Sequence, residues 1–196
     1  MLDVIPSQIL ADLKLRHAEP QRHYHDWSHV EALLRHMADV QADLHDTVAV
    51  IYAIGFHDAV YNPKASDNEA RSAQLLLDTA PPIDARSLAR AHRMIEATAG
   101  HFLPDDLDEA ATHDCAHFLD MDLGIFGAPP KRFDIYEDQI RREYAHVPSE
   151  AFREGRLKIL RHFAQRDQLY FTDWGSMRFE GGARRNLARS IAALEK

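Results

Sequence analysis

The sequence predicts an all-α fold, built as a single helical-bundle domain over residues 1–196. Three observations predict it. Apolar residues recur with helical periodicity along most of the chain, prolines and glycines separate the periodic segments, and there is no convincing strand pattern. Of the 196 residues, 45% are hydrophobic, which suits one domain with a substantial core.

Apolar periodicity, capping residues and breaking residues set the bounds of the expected helices. In chain order we expect helices over about residues 7–16, 26–44, 47–58, 66–77, 88–99, 107–126, 131–146, 149–166 and 182–194. Residues 167–181 are expected to form a loop.

The first three helices each carry a different signal. The first is a short amphipathic stretch. The second follows Asp26, which suits an N-cap, and its apolar residues recur at helical spacing. The third, over residues 47–58, is almost entirely apolar, which predicts a helix buried on all sides. The apolar stripe of the second helix is formed by Trp27, Val30, Leu34 and Met37.

The later helices are marked mainly by the residues that begin and end them. Ser66 and Glu69 have the spacing of a capping box at the start of the fourth helix. Gly100 ends the fifth helix, and the sixth ends near Gly127. Two polar, charged helices follow, and a last helix lies near the C-terminus.

Charge and cysteine content exclude several functions. The net charge is −8 and no long basic run is present, so long nucleic acids are not expected as partners. Cys115 is the single cysteine, which excludes an intrachain disulfide and a cysteine-based zinc site. No apolar stretch is long enough to span a bilayer, and the first residues do not resemble a signal peptide. We therefore expect a cytoplasmic protein without membrane contact.

The pair His57-Asp58 is the most informative feature of the chain. It stands at the end of the nearly all-apolar third helix, where an unpaired carboxylate would be costly to bury. The two side chains are separated by about 100° around a helix, so both can reach one ion. A divalent metal ion would satisfy them together.

The sixth helix offers a further carboxylate. Helical geometry places Asp122 near the centre of the apolar face of that helix and Asp120 about 200° away from it. Asp122 is therefore expected to be buried and to bind the metal. Asp120 is expected on the solvated side together with His113 and His117. Both histidines are expected to be exposed, as is usual for histidines on that side of a helix.

His25 and His29 are spaced one helical turn apart at the start of the second helix. One of them would bind the ion and the other would move protons. The expected ligands are His29, His57, Asp58 and Asp122. This set of imidazoles and carboxylates suits Mn²⁺, Fe²⁺, Co²⁺, Ni²⁺ or Zn²⁺ and disfavours Ca²⁺.

Three motifs of the chain carry a resemblance to a known superfamily: Tyr24-His25-Asp26-Trp27-Ser28-His29-Val30, His57-Asp58 and Asp120-Met121-Asp122-Leu123. In order, spacing and helical setting they resemble the HD-domain superfamily of metal-dependent phosphohydrolases. A narrower resemblance, covering nearly the whole chain, is to a group of proteins of about this length described as predicted metal-dependent HD-superfamily hydrolases.

The resemblance implies a phosphohydrolase that acts on a nucleotide or another small phosphate ester. The first motif is also similar to the Tyr-His-Asn-x-x-His stretch of cyclic-nucleotide phosphodiesterases. By that similarity His25 is the general acid and His29 a metal ligand, although position 26 is Asp where that stretch has Asn. Asp58 would orient the attacking water as well as bind metal.

Cationic side chains would bind the remaining phosphate oxygens. Arg22, close to His25, is the first choice, and Arg71 and Lys64 come next. Glu69 has two interpretations. It stands where some members of the superfamily carry an acidic residue after the metal-binding pair, but its role in the capping box is favoured.

His101 follows Gly100 at a helix end and is expected to line the pocket. One metal ion is favoured, yet His92 or His101 would complete a second metal site in a di-iron oxygenase, which is the first alternative function. A ligand-binding protein without enzymatic activity is the second alternative. The sequence leaves the substrate, the metal and the oligomeric state open.

Overall fold

The computed structural model describes residues 2–79 and 81–196, and helices are the regular elements throughout this part of the chain. The all-α prediction is therefore confirmed. The α-helices are α1 (Ser7–His17), α2 (Trp27–Val40), α3 (Thr47–Phe56), α4 (Asn68–Thr79), α5 (Ala85–Ala97), α6 (Glu109–Asp122), α7 (Pro130–Glu143), α8 (Ser149–Ala164), α9 (Asp173–Gly175) and α10 (Gly181–Leu194). Short 3₁₀ segments cover Leu2–Val4 and Leu123–Gly127, and a π-helical turn covers Ser176–Glu180.

The chain forms two compact units, Met1–Met121 and Asp122–Lys196. The expectation of a single domain over residues 1–196 stays a prediction. Among the described residues, no helix is both long enough and apolar enough to cross a membrane.

Helix α3 is the centre of the first unit. Its residues from Ala49 to Phe56 are all buried, as the continuous apolar sequence predicts, and it packs against α2, α4 and α5. Asp46 caps its N-terminus by accepting a hydrogen bond from the backbone N–H of Ala49 at 2.9 Å. The segment before α3 is held by Asp114, a buried carboxylate of α6 that accepts the backbone N–H groups of His45 and Asp46.

In the second unit, α10 packs against α8 and against the 3₁₀ segment Leu123–Gly127. Two glycines permit this approach. A Cβ atom at Gly182 would lie 2.6 Å from the carbonyl oxygen of Gly127, and one at Gly127 would lie 2.7 Å from Cα of Phe179. Asn186 fixes the contact by donating hydrogen bonds of 2.8 Å to the carbonyls of Phe126 and Ala128.

Several predicted boundaries are wrong. Helix α4 begins at Asn68, two residues after Ser66, so the expected capping box does not open it. Part of the expected loop over 167–181 is helical, because α9 and the π-helical turn lead directly into α10. Helix α5 ends at Ala97, a few residues before Gly100, and His101 after it has a left-handed backbone with φ of 50°.

Candidate metal centre

His57 lies at the C-cap of α3 and is 1% exposed. Its Nδ1 lies 3.0 Å from the carbonyl oxygen of Ile54. A carbonyl can only accept, so Nδ1 carries the proton and donates it. In the neutral ring, the lone pair is therefore on Nε2. Such a hydrogen bond from the second ring nitrogen is typical of histidines that bind metals.

His29 is held in the first turn of α2 and is also buried. Asp26 caps this helix, as the sequence predicts, and accepts the backbone N–H of Ser28 at 2.8 Å. This placement brings Nε2 of His29 to 3.1 Å from Nε2 of His57. The two imidazoles therefore meet with their ligand nitrogens facing each other.

Asp58 completes this contact. Its Oδ2 atom lies 3.0 Å from Nε2 of His57 and 3.6 Å from Nε2 of His29. Burial acts to raise the pKa of Asp58, but the neighbouring imidazoles, first of all His57, outweigh burial and hold that pKa well below its usual range. The carboxylate is therefore ionised beside the two imidazoles, and a positive charge between them, from a proton or a metal ion, would satisfy this group.

Asp122 is the last residue of α6, and its carboxylate lies near His29 and His57. One carboxylate oxygen of Asp122 and one ring nitrogen each of His29 and His57 lie within 4.8 Å of one another. These residues form a group that could hold a metal ion.

The distances suit a cation. Two ligand atoms on a tetrahedral ion with bonds of about 2.1 Å are separated by about 3.4 Å, close to the 3.0, 3.1 and 3.6 Å found between His29, His57 and Asp58. A carboxylate and an imidazole lone pair at 3.0 Å repel each other unless a proton or a metal ion lies between them. Two nitrogens with carboxylate oxygens form a set that borderline divalent metals prefer.

The burial expected along α6 is wrong. Asp120 is fully buried, at 0% exposure, whereas Asp122 is half-buried. His117 is buried and His113 is half-exposed. The reason is that α6 is covered on all sides from Asp114 to Met121, so the phase of its apolar residues does not separate an inner from an outer face.

His25 lies beside the ligands. Its half-buried ring stacks on Tyr61 with 4.5 Å between centroids and lies 5.9 Å from the ring of His29. Stacking on Tyr61 fixes the plane of the imidazole. The position is compatible with a proton donor at the edge of the site, and that role stays a prediction.

Arg22 has a different environment from the one expected of a phosphate ligand. Its side chain is 0% exposed, and it donates to the carbonyl oxygens of His25, Asp58 and Ala59 at 3.0, 2.6 and 3.2 Å. It also pairs with Glu19 at 3.1 Å. The guanidinium therefore connects the segment before α2 to the turn after α3, and these contacts do not support substrate binding by Arg22.

The remaining predicted residues lie on other segments. Glu69 is half-buried in the first turn of α4, Arg71 is exposed on the same helix, and His101 follows α5. Their roles toward a substrate stay predictions. His92, the other candidate for a second metal, lies on α5 with its Nδ1 3.5 Å from a carboxylate oxygen of Glu96.

Two residues near the site escaped sequence reasoning. Tyr61 follows the His57-Asp58 pair by a few residues and has no helical pattern to place it. His17 is buried in α1, with its ring edge against Trp27 and its Nδ1 2.9 Å from the carbonyl oxygen of Leu13. Its position one helical turn after the buried Leu13 is the signal that would have predicted its burial.

Comparison with known proteins yields no relative for this chain: no family model matches it, and neither does any curated protein or solved structure. The HD-superfamily resemblance therefore rests on the motifs in the sequence.

Proposed function

We propose that this chain is a metal-dependent phosphohydrolase that cleaves a nucleotide or another small phosphate ester. In this proposal His29, His57, Asp58 and Asp122 hold one divalent transition metal ion. The observation that carries it is the meeting of two buried ring nitrogens and a carboxylate oxygen at 3.0 to 3.6 Å, an arrangement that suits a divalent cation. The resemblance of the motifs to the HD superfamily supports phosphoester hydrolysis as the reaction.

When bound, such an ion polarises a phosphoryl oxygen and lowers the pKa of a water molecule. Asp58, whose Oδ2 lies 3.0 Å from Nε2 of His57, would orient the attacking water. His25, held by its stacking on Tyr61, donates a proton to the departing oxygen of the ester.

The substrate class follows from charge. A net charge of −8 disfavours a long polyanion, while a small ester needs a few local cations. Arg22 is engaged in bonds to backbone carbonyls. Lys64 and Arg71, both exposed and both after the His57-Asp58 turn, therefore become the proposed phosphate-binding residues. Glu69 and His101 remain proposed pocket residues.

The direct test measures metal content and hydrolysis on the same sample. Protein stripped with chelator is reloaded in turn with Mn²⁺, Fe²⁺, Co²⁺, Ni²⁺ and Zn²⁺ and assayed on 4-nitrophenyl phosphate, bis(4-nitrophenyl) phosphate and nucleoside monophosphates. We expect one tightly bound ion per chain at this centre and metal-dependent hydrolysis. The double variant His57→Ala/Asp58→Ala should bind one ion fewer than the unaltered protein and lose hydrolysis, and a double variant with unchanged metal content would refute the ligand assignment.

Asp122 and Asp120 form a matched pair for the same test. Asp122→Asn should lose most of the metal. Asp120→Asn, although it changes the more buried carboxylate, should retain it. Unfolding measurements on both variants separate loss of metal from loss of the fold, and the opposite outcome would move the ligand from Asp122 to Asp120.

A further inference from the structure

Three histidines of the first unit lie together near the start of α3 and on α6. His113 and His117 are one helical turn apart on α6, with ring centroids 4.8 Å apart. His45, in the segment before α3, has its ring 5.0 Å from that of His113. A pair of histidines four residues apart on one helical face is a familiar zinc-binding arrangement.

Asp114 contacts two members of this histidine cluster, His45 and His113. Its buried carboxylate accepts the backbone N–H of His45 at 2.9 Å, and its Oδ1 lies 3.3 Å from Nδ1 of His113. A carboxylate that accepts the proton of one ring nitrogen leaves the other nitrogen available to a metal, as in many metal sites. The same side chain therefore orients the His113 ring and holds the backbone that carries His45.

The surroundings admit a hydrated cation. Two of the three histidines, His45 and His113, line a cavity of about 520 Å³ together with Asp108 and Glu109, while His117 is buried beside it on α6. Arg86 also lines it, but its charge is paired with Asp108 at 3.2 Å. The cavity is open to water, which would complete the coordination shell of an ion held by imidazoles.

We propose that His45, His113 and His117 bind a second transition metal ion, such as Zn²⁺, Ni²⁺ or Cu²⁺, at a place separate from the candidate metal centre. Imidazole is the ligand that these borderline metals accept most readily. His113 and His117 supply the pair from α6. His45 is exposed, so its side chain has room to rotate toward an ion held by the pair on α6. The ion would tie the segment before α3 to α6 and stabilise the first unit.

The test uses Zn²⁺ titration calorimetry on the full chain in a His57→Ala/Asp58→Ala background, which removes the candidate metal centre. This background should still bind Zn²⁺. Adding His45→Ala and His113→Ala should weaken that binding by more than about tenfold, since loss of even an outer-shell partner of a metal ligand costs about 10- to 100-fold in affinity. Unchanged affinity in the combined variant would overturn the proposal.

A control separates this cluster from ordinary surface histidines. His146→Ala removes an exposed histidine of the second unit and should leave Zn²⁺ binding unchanged, whereas an equal loss in this control would also overturn the proposal. Thermal unfolding gives a second measurement. Zn²⁺ should raise the unfolding midpoint of the background protein but should not raise that of the same protein with His45→Ala added. Because the side chain of His45 is exposed, its removal should not disturb the fold.

Discussion

Replacing Arg22 by glutamine tests whether one buried guanidinium holds together the two segments that carry the candidate ligands. The side chain is fully covered and donates three hydrogen bonds to backbone carbonyls, of which the bond to Asp58 is the shortest at 2.6 Å. Its partner Glu19 is 42% exposed, so that ion pair is partly screened and worth about 0–1 kcal/mol. Most of the effect must therefore come from the carbonyls.

The magnitude follows from those three bonds. Hydrogen bonds to a charged group contribute about 1.5–3 kcal/mol each, and they are not fully additive. We expect Arg22→Gln to lower the free energy of unfolding by about 3–5 kcal/mol, less than the sum of the three bonds because glutamine can still donate to one of the carbonyls. Because the carbonyls belong to the segments that carry His25 and Asp58, metal affinity should fall by about 10- to 100-fold as well.

Arg90→Gln is the matched control. Arg90 is similarly buried in the same unit, but its partners are Asp46 and Asp108, away from the candidate ligands. Urea unfolding and metal titration on both variants should show that each loses stability and that only Arg22→Gln loses affinity at the candidate metal centre. A loss below about 1 kcal/mol for Arg22→Gln, or an equal loss of metal affinity in Arg90→Gln, would refute the reasoning.

Three other predictions follow from single positions. His25→Ala should keep its metal and lose about 10²–10⁴-fold in turnover, with a smaller loss on nitrophenyl esters, whose leaving group needs no proton; equal losses on good and poor leaving groups would contradict the acid role. Gly182→Ala should lower the free energy of unfolding by about 1–3 kcal/mol through overpacking. Gly155→Ala, where nothing lies within 4 Å of the new Cβ, should raise the free energy of unfolding by about 0.5–1 kcal/mol. Equal unfolding midpoints for the two variants would contradict this. Burial lowers the pKa of His17 from 6.5 to about 4. The unfolded chain therefore binds the proton first, and this residue should cost about 3 kcal/mol of stability as pH falls from about 6.5 to 4; denaturant unfolding across that range should show a shallower dependence in His17→Phe.

Local signals in the sequence predicted local structure well. Asp26 caps α2 because its short carboxylate reaches the backbone N–H of Ser28 within the same turn, and this interaction needs no other part of the fold. The unbroken apolar run of α3 likewise predicted its burial. The meeting of His29 with His57 agrees with the order of the motifs, although periodicity alone contains no distance between two helices.

The incorrect predictions share a physical cause. The periodicity of one segment does not show which of its residues other segments of the chain will cover. Helix α6 is covered on all sides near its end, so its helical phase could not rank Asp120 against Asp122. Arginine is usually a surface residue, and the burial of Arg22 is stabilised by carbonyls more than thirty residues away in the chain. Ser66 and Glu69 match a capping pattern, yet α4 begins later.

The hydrogen bond from Nδ1 of His57 to the carbonyl of Ile54 has a consequence for how the site tolerates mutation. The acceptor is a main-chain atom three residues earlier in the same helical turn, so every amino acid at position 54 supplies it. The hydrogen bond that holds Nδ1 is thereby independent of which side chain stands at position 54. Substitutions in the core around α3 that keep its last turn helical should therefore leave Nε2 of His57 facing the site.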